Sequence, residues 1–406
     1  MKKILILGVG AQGSTVAQRM DEEPNVSEII CADYDRTAVD KLVNILNKGR
    51  GVTVDATKVE NIIEIAKGVD LIVNALPIKY ANTVMDAAIE VKANYQDFAA
   101  GDVPGVDWIE NVKKMYTEIG DRFKAIGKLA LISTGSAPGT ICVASRYSMR
   151  YLDTCDSITM CVFEGVKAKR FLPFWWSPVT AYGDMSEEAV AYINGELVYT
   201  EPFSDPIYRK FDWYDKEVKF IEHAHDEPLI MGINSKECFK GAQNIYFKYG
   251  GFGVEFAEPL YKMGMLSTEP VEIDGATVIP KNLAIKLTPS APKFKEEIQE
   301  ILDEGLEYDT GAMLIESVGM KAGKKVMVET YVNAPGCVES FERSGLSGEM
   351  YLTGQGGAMF TKLFVNDQFD QTGLISSDML TDEQVDTYMG YAKELDITFE
   401  ATVKEL

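Results

Sequence analysis

Three glycines near the N-terminus have the spacing of an anion-binding loop. Gly8, Gly10 and Gly13 form the pattern G-x-G-x-x-G between an apolar run and a helix-like segment. Glycines there permit a tight turn, and their bare backbone lets a pyrophosphate approach the free N–H groups of a helix N-terminus. Asp33 follows Gly13 by 20 residues, near the distance at which a dinucleotide-binding fold places a carboxylate on the adenosine ribose. The pattern predicts a dinucleotide site.

The charges around Asp33 bear on which nicotinamide cofactor is used. Asp33 would repel a 2′-phosphate and Asp35 adds to that repulsion, so NAD is favoured. Arg36 could cover a phosphate, which leaves NADP possible. The predicted cofactor contacts are Gly8, Gly10, Ala11, Gln12, Gly13, Asp33, Tyr34, Asn74, Ala75 and Pro77.

The elements around this motif alternate in type. Apolar runs predict strands at residues 4–8, 28–33, 52–54, 71–76, 95–98 and 129–133, and intervening segments predict helices at 11–20, 61–67, 81–91 and 108–126. Strands that alternate with helices indicate an α/β fold with a doubly wound parallel sheet.

The pattern changes after about residue 137. A helix is predicted at 140–152, and residues 156–164 alternate as a half-buried strand does. The dipeptides Asn194-Gly195 and Asp274-Gly275 lie between alternating segments, which predicts two hairpins. Further elements are a strand at 325–332 and helices at 293–306 and 359–364, and Gln355-Gly356-Gly357 indicates a turn that leads into the last of these helices. This part is predicted to be an α+β domain with a largely antiparallel sheet.

Ligands of a doubly wound sheet lie beyond the carboxyl ends of its strands, which selects the loops 74–80, 97–102 and 134–139. Lys79 could transfer a proton or neutralise a substrate carboxylate, although a loop lysine is commonly just solvated. Asp97 ends an apolar strand, where an unpartnered carboxylate is costly to bury. It could orient an ammonium group, accept a proton, or cap the following turn.

The histidines are His223 and His225, in EHAHDEP. His225 is a candidate proton acceptor, because imidazole titrates near neutrality, and a structural histidine is the alternative. Two histidines at this spacing also have the potential to bind a metal, but no metal is predicted, since no acid or thiol cluster is expected to accompany the pair. Trp176 could wall off a substrate or belong to the core, and Arg170 could hold a substrate carboxylate or be solvated.

Composition excludes several classes of protein. The formal charge is −22, and no basic stripe suited to a nucleic acid is present. No apolar run approaches the roughly 18 residues that span a bilayer, and the run ILILGVG is short and glycine-rich for a signal peptide. Six scattered cysteines without a C-x-x-C pair indicate reduced, buried thiols in a cytoplasmic protein.

Several motifs resemble the saccharopine dehydrogenase-like family. They are LIVNALP at 71–77, NYQDF at 94–98 and SAPGTICVASRY at 136–147, with looser similarity at FWWSP (174–178) and HDEPL (225–229). The family includes lysine epsilon-dehydrogenase, saccharopine reductase and carboxynorspermidine dehydrogenase. At Ala137 and Cys142 the chain departs from several relatives, which have Asp and Asn there, so the resemblance implies no particular substrate.

The resemblance implies a Rossmann domain at 1–136, a substrate-binding and dimerisation domain at 137–354, and a segment at 355–406 that returns to the first domain. It implies an NAD(P)-dependent oxidoreductase acting on a C–N bond of an amino acid, diamine or opine-type secondary amine, with a homodimer as the default. Both a deaminating and a condensing reaction fit. The alternative is a non-catalytic NAD(P)-binding sensor or scaffold protein.

Overall fold

The computed structural model describes residues 1–101 and 105–406. The chain divides into two compact units. The first unit comprises Met1–Tyr147 and Leu352–Ile397, and the second comprises Ser148–Tyr351 and Thr398–Leu406. The first unit thus extends past the predicted boundary at residue 136, because it includes most of the helix that follows Gly139.

The strands, in chain order, are β1 (Lys2–Leu7), β2 (Val26–Asp33), β3 (Gly49–Thr53), β4 (Leu71–Asn74), β5 (Asn94–Asp97), β6 (Leu129–Ile132), β7 (Thr154–Glu164), β8 (Lys167–Ala168), β9 (Ala189–Ile193), β10 (Glu196–Thr200), β11 (Ile207–Lys210), β12 (Glu217–Glu222), β13 (Asn244–Gly251), β14 (Val271–Ile273), β15 (Ala276–Val278), β16 (Leu306–Tyr308), β17 (Gly311–Lys321), β18 (Lys324–Asn333), β19 (Gly373–Ser376) and β20 (Thr398–Glu405).

The helices are α1 (Ala11–Glu22), α2 (Arg36–Val43), α3 (Val59–Ile65), α4 (Ala81–Val91), α5 (Trp108–Lys114), α6 (Gly120–Ala125), α7 (Thr140–Ser148), α8 (Pro178–Ser186), α9 (Glu227–Ile233), α10 (Ser235–Cys238), α11 (Phe252–Lys262), α12 (Pro280–Leu287), α13 (Lys295–Glu304), α14 (Cys337–Ser344), α15 (Gly348–Val365) and α16 (Asp382–Lys393). A π-helical turn at Met115–Ile119 joins α5 to α6, and Ile78–Tyr80 forms a 3₁₀ turn before α4.

The first unit contains a parallel seven-stranded sheet in the order β19-β6-β5-β4-β1-β2-β3. Its central strand explains why the sequence shows a continuous apolar run. Ile4, Leu5, Ile6 and Leu7 are all fully buried, as expected of a strand covered on both faces. The strand order reverses between β1 and β4, and ligands of such sheets lie at this point. The predicted doubly wound fold is confirmed.

The second unit contains a nine-stranded sheet with the path β10-β9-β13-β7-β17-β18-β20, to which β12 and β11 are added beside β13. Its strand pairs are antiparallel except β13 with β7, so the predicted largely antiparallel sheet is confirmed. Both predicted hairpins form, between β9 and β10 and between β14 and β15. Asn194 and Asp274 adopt positive φ angles of 52° and 49° at these turns.

The C-terminal segment differs from its prediction in two respects. Gln355–Gly357 was expected to form a turn, but these residues lie inside α15. A Cβ atom at Gly356 would lie 2.5 Å from the carbonyl oxygen of Gly135, and one at Gly357 would lie 2.4 Å from the Phe98 ring. These glycines therefore allow close helix packing. The final strand, β20, pairs with β18 in the second unit, so the C-terminal segment belongs to the first unit only up to Ile397.

The cysteines are free and buried, as predicted. Burial raises the pKa of the thiols of Cys31, Cys155, Cys161 and Cys337 to about 12. Among the described residues, no helix has both the length and the apolar character that a membrane span requires.

Candidate active site

The three motif glycines have three distinct structural roles. Gly8 has a φ of +88°, and a Cβ atom there would lie 2.7 Å from the carbonyl oxygen of Ala75, so the loops after β1 and β4 touch. A Cβ atom at Gly13 would lie 1.9 Å from the carbonyl oxygen of Gly8, so α1 packs closely on its own loop. Gly10 has no described atom within 4 Å of that position and forms the N-cap of α1. The open approach at Gly10 fits a pyrophosphate.

Asp33 is fixed against this loop. Its Oδ2 accepts a hydrogen bond of 2.9 Å from the backbone N–H of Val9, and its Oδ1 accepts one of 3.0 Å from that of Asp35. Tyr34, next in the chain, is 83% exposed and offers a ring on which an adenine can stack. Arg36 is ion-paired with Asp40 at 2.8 Å. The loop and the carboxylate form one surface at the carboxyl ends of β1 and β2.

The second predicted loop contains a buried polar chain. Asn74 donates to the hydroxyl of Tyr95 at 3.0 Å, and that hydroxyl donates to Oδ2 of Asp97 at 2.8 Å. Asp97 is 3% exposed, and its Oδ1 accepts from the backbone N–H of Ser133. Burial raises the pKa of Tyr95 well above its usual value, so this phenol stays protonated. Tyr95 was not predicted, although its spacing of two from Asp97 places both on one face of β5.

The other residues of the first unit that were predicted to bind the cofactor or transfer a proton lie at the beginning of α1 and in the 3₁₀ turn after β4. Ala11 and Gln12 are the first two residues of α1. Pro77 caps the 3₁₀ turn that contains Lys79, and the ammonium of Lys79 lies 5.2 Å from the centre of the Tyr80 ring. Lys79 is exposed. Asp102, at the end of the predicted loop 97–102, lies outside the described residues.

In the second unit the structure brings Trp176 and both histidines together. The ring centre of His223 lies 6.3 Å from that of Trp176, 5.2 Å from that of His225 and 4.7 Å from that of Tyr249. Tyr249 donates a hydrogen bond to Glu164, whose pKa is raised because burial disfavours the carboxylate. Neither Tyr249 nor Glu164 was predicted, since they lie on β13 and β7, far apart in the chain.

His225 is held by two neighbours. Its ring stacks on Phe247 with centres 4.1 Å apart, and its Nδ1 lies 2.8 Å from Oε2 of Glu227. Burial opposes its charge, but the carboxylate of Glu227 more than offsets this and raises the pKa of His225 to about 9. His223 is 1% exposed, and burial lowers its pKa well below the usual value.

Arg170 lies apart from this cluster. Its guanidinium is ion-paired with Glu304 and, at 2.9 Å, with Glu300 on α13. Protein carboxylates therefore already occupy its donors, and its predicted role as a substrate clamp would require their release. That role stays a prediction.

An acid does accompany the histidine pair, contrary to the expectation from the sequence. Asp184, His223 and His225 each offer a ligand atom, and these atoms lie within 4.8 Å of one another. Burial raises the pKa of Asp184 to about 7. Asp184 lies on α8, 39 residues before His223. No local sequence pattern could have connected them.

Comparison with known proteins agrees with this geometry. Residues 4–129 match the family described as "Saccharopine dehydrogenase NADP binding domain". The carboxyaminopropylagmatine dehydrogenase of Synechocystis sp. is 23% identical over 392 residues, which cover 93% of this chain and 92% of that protein. The carboxynorspermidine synthase of Vibrio cholerae is 25% identical over 319 residues, which cover 72% of this chain and 75% of that protein.

The fold has a solved counterpart. The saccharopine dehydrogenase (L-Glu forming) of Saccharomyces cerevisiae matches over 100% of both chains with a TM-score of 0.69 and 13% sequence identity. The resemblance indicated by the sequence motifs is therefore confirmed. The chain is therefore similar in sequence and in fold to proteins of the saccharopine dehydrogenase type.

Proposed function

We propose that this protein is an NAD-dependent dehydrogenase that forms or cleaves the C–N bond of a carboxylated amine. The observation that carries the proposal is the glycine loop joined to Asp33, which fits a dinucleotide without a 2′-phosphate. The substrate class is supported by the two curated relatives, both named for carboxylated polyamines. One of them is named a synthase, which favours the condensing direction over deamination.

The preference for NAD rests on the charges at the end of β2. Asp33 is fixed by the N–H groups of Val9 and Asp35, so it cannot turn away from a ribose without leaving those donors unpaired. Arg36 forms a two-point pair with Asp40, with contacts of 2.9 and 2.8 Å. A 2′-phosphate would therefore be repelled by the fixed carboxylate of Asp33, and the guanidinium of Arg36 is already paired with Asp40.

The second unit supports recognition of a cationic amine. Oε1 of Glu164 and Nε1 of Trp176 are buried atoms, and the Trp176 side chain faces the carboxyl group of Glu164 as a hydrogen-bond donor. Tyr249 lies beside both, with its ring centre 6.2 Å from that of Trp176. A buried carboxylate beside aromatic rings suits an ammonium group, through charge and cation–π attraction. The net charge of −22 favours approach of a polycation.

In the proposed reaction, a nicotinamide cofactor held by the glycine loop and Asp33 would supply the hydride needed to convert an imine to a secondary amine. The residues of the chain bind the amine, orient it and move a proton. Lys79, Asp97 and His225 remain the candidates for proton transfer. We place Lys79 first because it is exposed beside the carboxyl ends of β1 and β4, whereas Asp97 is engaged by Tyr95 and Ser133.

The test is a spectrophotometric assay of the purified chain. Reduced nicotinamide is followed while diamines and polyamines are paired with aldehydes and keto acids that carry a carboxylate, with NADH and NADPH in separate series. We expect turnover with a polyamine and a higher kcat/KM with NADH. Preference for NADPH would overturn the cofactor assignment. Tight cofactor binding without turnover in either direction would favour the sensor or scaffold alternative.

Two variants sharpen this assay. Glu164→Gln removes the charge proposed to hold the amine, so KM for the polyamine should rise about tenfold or more while cofactor binding stays unchanged. Lys79→Met should lower kcat by about 100-fold, the lower range for loss of an acid–base group. Lys92, an exposed lysine at the end of α4, provides the matched control Lys92→Met. Equal activities of the two lysine variants would remove Lys79 from the mechanism.

We further propose a homodimer in the cytoplasm. The strand β20 is an edge of the second sheet, with Val403 45% exposed, and such edges are suited to pairing with a second copy. The free, buried cysteines fit a reducing compartment. Light scattering coupled to size exclusion measures the mass, and a monomer at micromolar concentration would refute the dimer.

A further inference from the structure

Three side chains of the second unit converge although they come from separate segments. Asp184 lies near the end of α8, His223 follows β12, and His225 precedes α9. One ligand atom of each lies within 4.8 Å of the others. The backbone N–H of Ala224, between the two histidines, donates to the carbonyl oxygen of Asp184 at 2.8 Å. This bond ties the histidine segment to the helix that contains the acid.

His223 has a feature that the fold alone does not explain. Its side chain is 1% exposed, and neither Nδ1 nor Nε2 has a hydrogen-bond partner in the part of the chain that the structure describes. Buried polar atoms are nearly always paired, because an unpaired one costs roughly 1–3 kcal/mol. The surrounding rings of Trp176, Tyr249 and Phe247 hold the imidazole with its centre 4.7 to 6.3 Å from theirs. Both imidazole nitrogens of His223 are therefore available to bind a ligand.

His225 has the neighbours of a metal-binding histidine. Nδ1 faces Oε2 of Glu227 at 2.8 Å, which leaves Nε2 available. Histidines that bind metals commonly donate their other N–H to a carboxylate, which fixes the tautomer and strengthens the ligand. Glu227 is fully buried and Phe247 stacks on the ring, so the orientation of His225 is set before any ion binds.

We propose that Asp184, His223 and His225 bind a divalent first-row transition metal ion, with Glu227 as the carboxylate that orients His225. Two imidazoles and one carboxylate suit Zn²⁺ or Fe²⁺, whereas Mg²⁺ and Ca²⁺ prefer sites built from oxygen. Three protein ligands leave a coordination position for water or for an oxygen or nitrogen atom of a substrate. The site lies within the second unit, so it is independent of the dinucleotide assignment.

The geometry requires a modest contraction on binding. Ligand atoms about 2.1 Å from a tetrahedral ion lie roughly 3.4 Å apart, so atoms now up to 4.8 Å apart must close by up to about 1.4 Å. Asp184 can supply most of this movement, because it is half-buried and its carboxylate lies near the end of its helix.

The experiment uses the full chain, stripped with a chelator and then titrated with CoCl₂ and with ZnSO₄. Cobalt bound by imidazole and carboxylate gives a visible absorption spectrum, and zinc is measured by displacement of cobalt and by elemental analysis. We expect one ion per chain, bound with a Kd of about 10 µM or tighter, and a higher melting temperature in the loaded protein. Absence of stoichiometric binding of both ions would overturn the proposal.

Variants locate the ion. Asp184→Asn and His225→Gln should each weaken binding at least tenfold, and Glu227→Gln should weaken it about 10- to 100-fold, as loss of an orienting carboxylate does. The control is Glu187→Gln, which removes an exposed acid one turn after Asp184 that pairs with Lys281 at 2.8 Å. It should bind cobalt as the unmodified protein does. Undiminished binding in both Asp184→Asn and His225→Gln would place the ion elsewhere and refute the site.

Discussion

Replacement of Asp33 by asparagine tests the cofactor site most directly. Its two oxygens hold the Val9 N–H at 2.9 Å and the Asp35 N–H at 3.0 Å, beside the edge where the ribose is expected. Asparagine retains the shape but loses the charge, and its amide group leaves one of the two backbone donors without an acceptor. A hydrogen bond to a charged group contributes about 1.5–3 kcal/mol. The Kd for NADH should therefore rise about 10- to 150-fold.

The assay is a fluorescence titration with NADH and with NADPH, accompanied by thermal unfolding of each protein. The ratio of the two Kd values should move toward NADPH, because the fixed anion is gone. Asp35→Asn is the matched control, since it changes the same charge two residues away. Asp35 caps α2 through the N–H groups of Thr37 and Ala38, a role that asparagine fills equally well. A wild-type Kd in Asp33→Asn, or an equal loss in Asp35→Asn, would refute the reasoning.

Three further outcomes follow from the fold. Gly13→Ala should lower the free energy of unfolding by about 1–3 kcal/mol, because its Cβ would lie 1.9 Å from a carbonyl oxygen. Gly10→Ala should unfold like wild type but bind NADH more weakly. Equal melting temperatures of the two glycine variants would contradict this. The six cysteines should resist iodoacetamide at neutral pH and react after unfolding in urea, and fast labelling of the folded chain would show exposed thiols. Partial burial disfavours the charge of Asp21, but hydrogen bonds from the backbone of Asn47 and Lys48 outweigh this and lower its pKa. The charge of Asp21 therefore contributes to stability above its unfolded pKa of about 3.9, and this contribution is lost as the pH falls through the lower folded pKa. The free energy of unfolding in urea should thus depend less on pH below about 4 in Asp21→Asn than in wild type. Parallel pH curves of the two proteins would disprove this.

The local sequence was sufficient to predict the doubly wound fold of the first unit and the position of its glycine loop between β1 and α1. Dinucleotide binding requires a turn, an open backbone and a close helix within six residues, so Gly8, Gly10 and Gly13 encode it locally. The parallel strands are buried on both faces, and their apolar runs are therefore visible without tertiary information. The same holds for the hairpins at Asn194 and Asp274, where two adjacent residues set the turn.

The tertiary structure alone decided the roles of residues that depend on distant partners. Arg170 pairs with Glu304, Asp97 accepts a hydrogen bond from the backbone N–H of Ser133, and Asp184 joins the two histidines, each through contacts between separate segments. The glycines of α15 look like a turn in sequence, because only the carbonyl and the ring packed on them explain why a helix contains them. A side chain's chemistry depends on its burial and charged neighbours, and these are set by packing across the chain rather than by adjacent residues.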